Sequence, residues 1–163
     1  MNDLHANAQR VQALLDAAGI DSRVQGLSKE TRTAAAAAAE LGCEIGAIAN
    51  SLVFLADGEP VLVMTSGAHR VDEAFLAGEL GVTELARANA AQVREATGQP
   101  IGGVAPIGHP RPLPTVIDPT LENYPTVWMG GGAPNSIFGL TYRQLLEITG
   151  GRICAVNGAI TRG

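Results

Sequence analysis

Residues 48–65 of the chain read IANSLVFLADGEPVLVMT, two apolar runs separated by a short polar turn. The runs, 48–56 and 59–65, are rich in valine and leucine, which favour the pleated, buried surface of a strand. Asp57-Gly58 between them is typical of a two-residue hairpin turn, because both residue types tolerate a positive φ. We therefore predict a β-hairpin that is buried on much of both faces, the best-defined local unit of the sequence.

Helical patterns lie on both sides of this hairpin. Residues 3–18 carry apolar positions on one face and stop at Gly19, while residues 33–40 contain six consecutive alanines and stop at Gly42. Alanine side chains are short, so the second of these helices can pack closely on a sheet. Three more helices are predicted from N-cap, capping-box and first-turn signals, over 71–80, 89–96 and 141–149.

Short apolar segments predict the remaining strands. They lie at 22–25, 103–106, 115–118, 125–129, 135–139 and 152–156. Helices come first, and hairpin, helices and strands then alternate irregularly, with no internal repeat and no linker. This order favours an α+β fold with a mixed, largely antiparallel sheet, as a single domain over 1–163, and not a regular βαβ array.

Charge and composition narrow the classes of function. The formal net charge is -5, and Lys29 is the one lysine, so a broad surface that follows DNA or RNA phosphates is not expected. A contact with one nucleic-acid end stays open. The sequence has no apolar run of about 18 residues and no signal pattern at its N-terminus. We expect a cytoplasmic protein with neither a membrane nor DNA as partner.

The usual catalytic and metal-binding signatures are not found. Cysteines and histidines are scattered without ligand spacing, which predicts no metal and no disulfide. His69 and His109 are expected in loops, and Asp118 is expected to cap a turn or helix. Arg70 beside Asp72 could clamp an anion, although a surface ion pair is commoner. A small-molecule hydrolase that uses Ser66 or Asp118 is one open alternative.

Two glycine-rich stretches end in, or contain, proline. We call Ile101–His109 (IGGVAPIGH) the first glycine loop and Met129–Asn135 (MGGGAPN) the second glycine loop. Glycine pairs let a ligand approach backbone N–H and C=O groups closely, and proline makes the loop rigid. Neither loop has the spacing of a phosphate-binding motif. Together they predict a pocket in which main-chain groups recognise a small molecule.

Several segments, in this order, resemble the YbaK/EbsC family of aminoacyl-tRNA editing proteins, which are related to the editing domain of bacterial prolyl-tRNA synthetases. The segments are Thr31–Ala34, Ile48–Phe54, Val61–Asp72, Gly102–Gly108 and Leu113–Asp118, followed by the second glycine loop. The resemblance covers most of the chain. It implies a mixed, barrel-like sheet flanked by helices, with a small pocket that hydrolyses the ester between a mischarged amino acid and the 3′ end of tRNA, usually tRNA-Pro.

The resemblance also implies roles for individual residues. Backbone groups of Gly102, Gly103 and Ala105, in a loop fixed by Pro106, would hold the terminal adenosine and the scissile carbonyl. The aminoacyl group would contact Gly130, Gly131 and Asn135, and further substrate contacts are implied at Ser66, Gly67 and Arg70. An aminoacyl ester is already activated, so an oriented water can replace a protein nucleophile. The implied partners are the 3′ CCA end of an aminoacyl-tRNA and a prolyl-tRNA synthetase, with no cofactor.

Asn50 occupies the position at which the family normally carries a functional lysine. An amide can donate and accept a hydrogen bond but carries no charge. If Asn50 still anchors the substrate, the chain is a deacylase. If the activity was lost with the lysine, the chain is a non-catalytic protein that binds aminoacyl-adenosine or a related small ligand. Lys29 and Arg70 are the other cations to consider.

Overall fold

The predicted hairpin forms the centre of the sheet. The structure, a computed structural model, describes residues 6–28 and 33–158. In it, strand β2 (Ile48–Ala56) and strand β3 (Glu59–Ser66) pair antiparallel, from Ala49 opposite Ser66 to Ala56 opposite Glu59. Asp57 and Gly58 make the turn with φ of 48° and 88°, as the Asp-Gly pair predicts. The Asp57 carboxylate also accepts hydrogen bonds from two backbone N–H groups near 83–84, which holds the turn against the following segment.

Five α-helices and eight strands make up the described chain. The helices are α1 Ala6–Ala17, α2 Ala34–Leu41, α3 Glu73–Leu80, α4 Ala90–Thr97 and α5 Tyr142–Thr149. The strands are β1 Gln25–Gly26, β2 Ile48–Ala56, β3 Glu59–Ser66, β4 Leu85–Arg87, β5 Thr115–Ile117, β6 Val127–Gly130, β7 Ser136–Leu140 and β8 Arg152–Ile153. Short 3₁₀ turns occupy Ile45–Ala47 and Pro119–Asn123.

The eight strands form one mixed sheet in the order β1-β7-β6-β2-β3-β5-β8, with β4 attached to β2. Four pairings are antiparallel and three are parallel. Helices flank this sheet, so the predicted α+β fold is confirmed. Alternate residues of β3 enter two different core clusters, Leu62 and Met64 on one face and Val61 and Val63 on the other. The hairpin is therefore buried on both faces.

Local capping signals fixed the helix ends as expected. Thr33, Asp72, Asn89 and Thr141 each accept a backbone N–H at the start of a helix. Glycines in the left-handed region follow the last turn of α2 to α5, where an L side chain would be strained. The start of the first predicted helix at residues 3–5, and Lys29, Thr31 and Arg32, lie outside the described residues.

Three strand predictions need correction. Residues 103–106 are not a strand but a loop, because the Ala105 N–H donates to the side chain of Gln99 and not to another strand. The strands predicted at 22–25 and 152–156 are each reduced to two residues, Gln25–Gly26 and Arg152–Ile153. The structure also contains β4, which the sequence did not indicate, since its three residues form a strand only by pairing with β2.

Candidate functional site

A gap in the sheet beside β2 forms the site. One edge of β2 pairs continuously with β3. On the other edge, β6 pairs with Ile48 and Ala49 and β4 pairs with Phe54–Ala56, so in the described chain residues 50–53 have no strand on this edge. A cavity of about 470 Å³ opens at this gap.

The gap leaves a backbone edge facing the cavity. The Ile48 carbonyl accepts from the Gly67 N–H on the β3 side at 2.7 Å, while the Val53 carbonyl accepts from the Ala88 N–H on the β4 side at 3.0 Å. Backbone groups alternate in direction along a strand. The N–H and C=O of Ser51 therefore point to the same edge as those of Val53, into the gap. This offers a ligand one backbone donor and one backbone acceptor.

The two glycine loops close the cavity and are packed backbone against backbone. The Gly132 N–H donates to the Gly103 carbonyl at 2.8 Å. A Cβ atom on Gly103 would lie 2.6 Å from the Ala133 carbonyl carbon, and one on Gly130 would lie 2.8 Å from the Val104 carbonyl oxygen. Only glycine permits such a close approach, which explains why both loops need glycine pairs.

Two side chains, one buried and one half-buried, hold the first glycine loop in shape. Gln99, almost wholly buried, accepts from the Ala105 N–H at 2.7 Å and donates to the Ile107 carbonyl at 3.0 Å. His109 Nε2 lies 2.8 Å from the Ala105 carbonyl oxygen, to which it donates. Burial lowers the pKa of His109 below its ordinary value of 6.5, and the hydrogen bond to Ala105 offsets part of this change. A neutral imidazole therefore supports the loop.

The second glycine loop is held by Ser136 and by an unusual backbone at Asn135. Ser136 Oγ accepts from the Ala133 N–H and donates to the Ala133 carbonyl. Asn135 has φ of 57°, a left-handed conformation that asparagine tolerates better than most residues. Its carbonyl accepts from the Leu27 N–H at 2.6 Å. The loop is thus fixed against the segment before α2.

The cavity wall is mostly apolar with a few polar groups. Small and aliphatic side chains from α2, β2, α4 and β6 supply most of it. The polar side chains in the described lining belong to Thr33, Asn50, Ser51, Arg87, Asn135 and Ser136. Within the described lining, no histidine, cysteine or carboxylate is present, and Arg87 carries the one charge. A cavity of this composition can position a polar ligand, but it offers no side-chain base to activate a serine.

The residues predicted to form the site fall into three groups. Asn50, Gly102, Gly130 and Asn135 all line the cavity, although they come from three distant parts of the sequence. Gly103, Ala105, Pro106 and Gly131 are buried in the loops and do not line the cavity. Both backbone groups of Ala105 have partners within the chain.

Ser66, Gly67 and Arg70 lie outside the lining. Ser66 Oγ is fully buried and donates to the Gly46 carbonyl at 2.7 Å. A Cβ atom on Gly67 would lie 2.5 Å from the Ile45 carbonyl oxygen, so this glycine permits chain packing. Arg70 is exposed at the surface, where its carbonyl accepts from Asn157.

The alternative hydrolase based on Ser66 or Asp118 has no accessible side chain to use. Asp118 is fully buried, accepts from the Ser66 N–H at 3.0 Å, and caps the following 3₁₀ turn through the Thr120 N–H. Asp118 is thus a cap, as expected for a carboxylate after a strand.

Arg87 is the lining residue that the sequence did not reveal. It lies on β4, opposite Phe54 of β2, with its guanidinium carbon 5.6 Å from the centre of the Phe54 ring. Nothing in the pattern around residue 87 indicates a strand, so no sequence signal placed this side chain at the cavity.

The described residues contain no metal cluster, no disulfide and no helix able to span a membrane. Within 6–28 and 33–158, no group of three or more His, Cys, Asp or Glu side chains could hold a metal ion. Cys43 and Cys154 are free thiols, as predicted. In the same ranges, every helix is too short or too polar to cross a membrane.

Known proteins share both the sequence and the fold. The chain is 33% identical over 111 residues to a proline--tRNA ligase of Oleidesulfovibrio alaskensis, covering 65% of this chain and 19% of the ligase. It is 31% identical to the protein YwhH of Bacillus subtilis, covering 69% of this chain and 72% of YwhH. A crystal structure of a proposed trans-editing enzyme for prolyl tRNA synthetase superposes with a TM-score of 0.87 at 39% identity, covering 95% of this chain and 99% of that one.

These matches confirm the predicted resemblance. The chain spans about a fifth of the length of the curated proline--tRNA ligases it matches. The family model of the aminoacyl-tRNA editing domain matches residues 28–148, a range that contains β2, both glycine loops and Arg87. By this match the chain belongs to the aminoacyl-tRNA editing domain family.

Proposed function

We propose that the chain is an aminoacyl-tRNA deacylase that hydrolyses the ester of a small amino acid mischarged on tRNA, with tRNA-Pro as the preferred substrate. The family and the likeness to a proposed trans-editing enzyme support this activity. Its partner is the 3′ CCA end of the aminoacyl-tRNA, with a prolyl-tRNA synthetase as a second partner. A net charge of -5 agrees with a contact limited to the end of the tRNA.

The observation that carries the proposal is the meeting of Asn50 with both glycine loops at one cavity. The lining includes Gly102 from the first loop and Gly130 and Asn135 from the second. Asn50 lies 52 residues before Gly102, and Gly102 lies 28 residues before Gly130. Their convergence supports a single substrate pocket at the gap beside β2.

Catalysis in this pocket depends on positioning. The ester is activated, so a water held near its carbonyl and donors near the developing oxyanion can supply the acceleration. The backbone N–H of Ser51 on the open edge of β2 and the side-chain amide of Asn50 in the cavity wall are the donors, while Gly102 leaves space for the ester to approach. No attacking side chain is required, in agreement with a described lining that holds no histidine, cysteine or carboxylate.

The aminoacyl group would lie against small side chains. Ala34 and Ala37 of α2 line the cavity with Gly130 and Asn135 of the second glycine loop. Esters of alanine, cysteine, serine and threonine are the candidates. A panel of tRNA-Pro charged with each of these amino acids identifies which ester is hydrolysed.

The alternative, a non-catalytic binding protein for aminoacyl-adenosine, is favoured by one observation, the Asn50 amide at the family's lysine position. A charge-assisted hydrogen bond contributes about 1.5–3 kcal/mol, against about 1 kcal/mol for a neutral one. By this difference of about 0.5–2 kcal/mol, Asn50→Lys should raise the deacylation rate by up to about thirtyfold.

The deciding experiment measures deacylation of the mischarged panel by the wild type, Asn50→Ala and Asn50→Lys. We expect the wild type to hydrolyse at least one ester, Asn50→Ala to be slower and Asn50→Lys to be faster. Activity in Asn50→Lys alone, together with binding of a non-hydrolysable aminoacyl-adenosine by the wild type, would replace the deacylase with the binding protein. Adding prolyl-tRNA synthetase to the same reactions tests the second partner.

A further inference from the structure

Arg87 places a positive charge at the cavity of an acidic protein. It is the one charged residue among the described residues that line the cavity. The residue is exposed, and its guanidinium lies 5.6 Å from the centre of the Phe54 ring. A cation over an aromatic face is attracted by the ring, so the arginine has a preferred position.

Within the described residues, no carboxylate forms an ion pair with Arg87. The ion pair found there at 4.0 Å or less joins Arg143 and Glu147, neither of which lines the cavity. An arginine without an acidic partner at the mouth of a cavity is available to an anion. Its planar set of N–H groups matches the oxygen atoms of a phosphate.

The position of Arg87 relative to Asn50 suggests which anion it meets. Arg87 pairs with Phe54, which is four residues further along β2 than Asn50. Four residues of a strand span about 13 Å, and both Asn50 and Arg87 line the cavity. If the ester lies near Asn50, the ribose and the long side chain of Arg87 together can span this distance and bring the 5′ phosphate to the guanidinium.

We propose that Arg87 binds the 5′ phosphate of the terminal nucleotide of the substrate and so positions the ester at the other end of the cavity. This subsite rests on the proposed function, because it assumes a nucleotide in the pocket. Arg87 is a substrate-positioning residue: it holds the backbone of the tRNA end, and the reaction itself occurs at Asn50 and Ser51. The cavity thereby gains a charge that position 50 does not supply.

The test compares two small substrates that differ only in the phosphate. They are 3′-O-aminoacyl-adenosine and the same compound with a 5′ phosphate, each carrying the amino acid that the panel identifies. We expect the wild type to prefer the phosphorylated compound in kcat/KM by about tenfold or more, mainly through KM. In Arg87→Ala this preference should fall to near unity, and Arg87→Lys should keep part of it. Equal preference in the wild type and Arg87→Ala would overturn the proposal.

Arg94→Ala is the matched control, because Arg94 is an exposed arginine on α4 outside the described lining. It removes the same charge from the protein and should keep the wild-type preference. A loss of preference in both variants would assign the effect to overall charge and reject a subsite at Arg87.

Failure of the proposed function is recognised separately. If the wild type hydrolyses no ester of the mischarged tRNA panel, the deacylase proposal fails, and binding of the non-hydrolysable 3′-amide analogues still tests Arg87. Tighter binding of the 5′-phosphorylated analogue by the wild type, lost in Arg87→Ala, supports the subsite. Equal binding of both analogues by the wild type refutes it.

Discussion

At the scale of single residues, the cavity depends on backbone atoms that a few buried side chains keep in place. Gln99 is a polar side chain with almost no exposure. Its amide accepts a hydrogen bond from the N–H of Ala105 and donates one to the carbonyl of Ile107. A buried backbone group without a partner costs about 1–3 kcal/mol. Gln99 therefore allows the first glycine loop to fold without a strand beside it.

The two glycines of this loop are needed for different reasons, Gly102 for its positive φ and Gly103 for close packing against the other loop. Gly102 has φ of 89° and open space around it, so Gly102→Ala costs only backbone strain of about 1–2 kcal/mol. Gly103 touches the Ala133 backbone, and Gly103→Ala must push the two loops apart. We expect Gly103→Ala to lose more deacylation activity than Gly102→Ala at comparable stability, measured by kinetics and urea unfolding. The reverse order would show that the packing of the loops does not shape the site.

His109 gives the fold a pH dependence of known sign. Burial lowers its pKa in the folded state, so below its ordinary value of 6.5 the unfolded chain binds more protons than the folded one. The free energy of unfolding therefore decreases as the pH falls below about 6.5, towards the lowered pKa of His109 in the folded state. Above about pH 6.5 this contribution to stability is fully retained. Urea unfolding at about pH 7.5 and about pH 5.5 should show a smaller decrease for His109→Gln, which keeps an N–H donor but does not titrate. An equal decrease in both proteins would contradict the assignment.

At the scale of elements, the site exists because β2 is longer than its neighbours on one side. β2 runs over Ile48–Ala56, while β6 and β4 each pair with only part of that edge. The unpaired middle would be a liability on an exposed strand. Here the glycine loops cover it from one side and α2 from the other, so the open edge becomes the floor of a cavity.

Helix α4 begins three residues after Arg87 and, like Arg87, contributes to the cavity wall. Its N-terminus is closed by a capping box between Asn89 and Gln92, and Val93 lines the cavity. Asn89→Ala should cost about 1 kcal/mol of stability and raise KM for the mischarged tRNA. Thr141→Ala removes the equivalent cap of α5, which is outside the described lining, and should cost similar stability with KM unchanged. Equal KM values in the two variants would show that the position of α4 does not affect substrate binding.

At the scale of the whole molecule, net charge limits how the protein can hold a nucleic acid. With a formal charge of -5 and a described cavity lining that carries one arginine, the chain has few means of neutralising phosphates. Affinity for tRNA should come from the pocket more than from a long electrostatic surface.

This predicts a weak salt dependence of tRNA binding. For single strands, the slope of log K against log salt is about −0.7 per phosphate neutralised. We expect a slope no steeper than about −1.5, corresponding to one or two contacts, and a slope shallower by about 0.7 for Arg87→Ala. Binding measured across a salt series gives the slope directly. A slope near −3 or steeper would reveal a larger basic surface and argue against recognition of the tRNA end alone.

The sequence by itself determined the elements whose signals are local. The Asp57-Gly58 turn, the N-cap residues and the glycines after the helices act on the nearest few residues, and the described chain begins and ends its main elements close to them. The family followed from sequence too, because the motifs that carry it are continuous stretches. The residues proposed for the pocket came from that resemblance.

Only the tertiary structure decided which of those residues share a cavity. It brought Asn50 to Gly102 and Gly130 and left Ser66 buried at the end of β3, outside the lining. It also turned 103–106 into a loop, created β4 and placed Arg87 at the gap. Each of these outcomes depends on hydrogen bonds and packing between residues that are distant in the sequence or held by a buried side chain, and such contacts leave no periodic or local pattern to read.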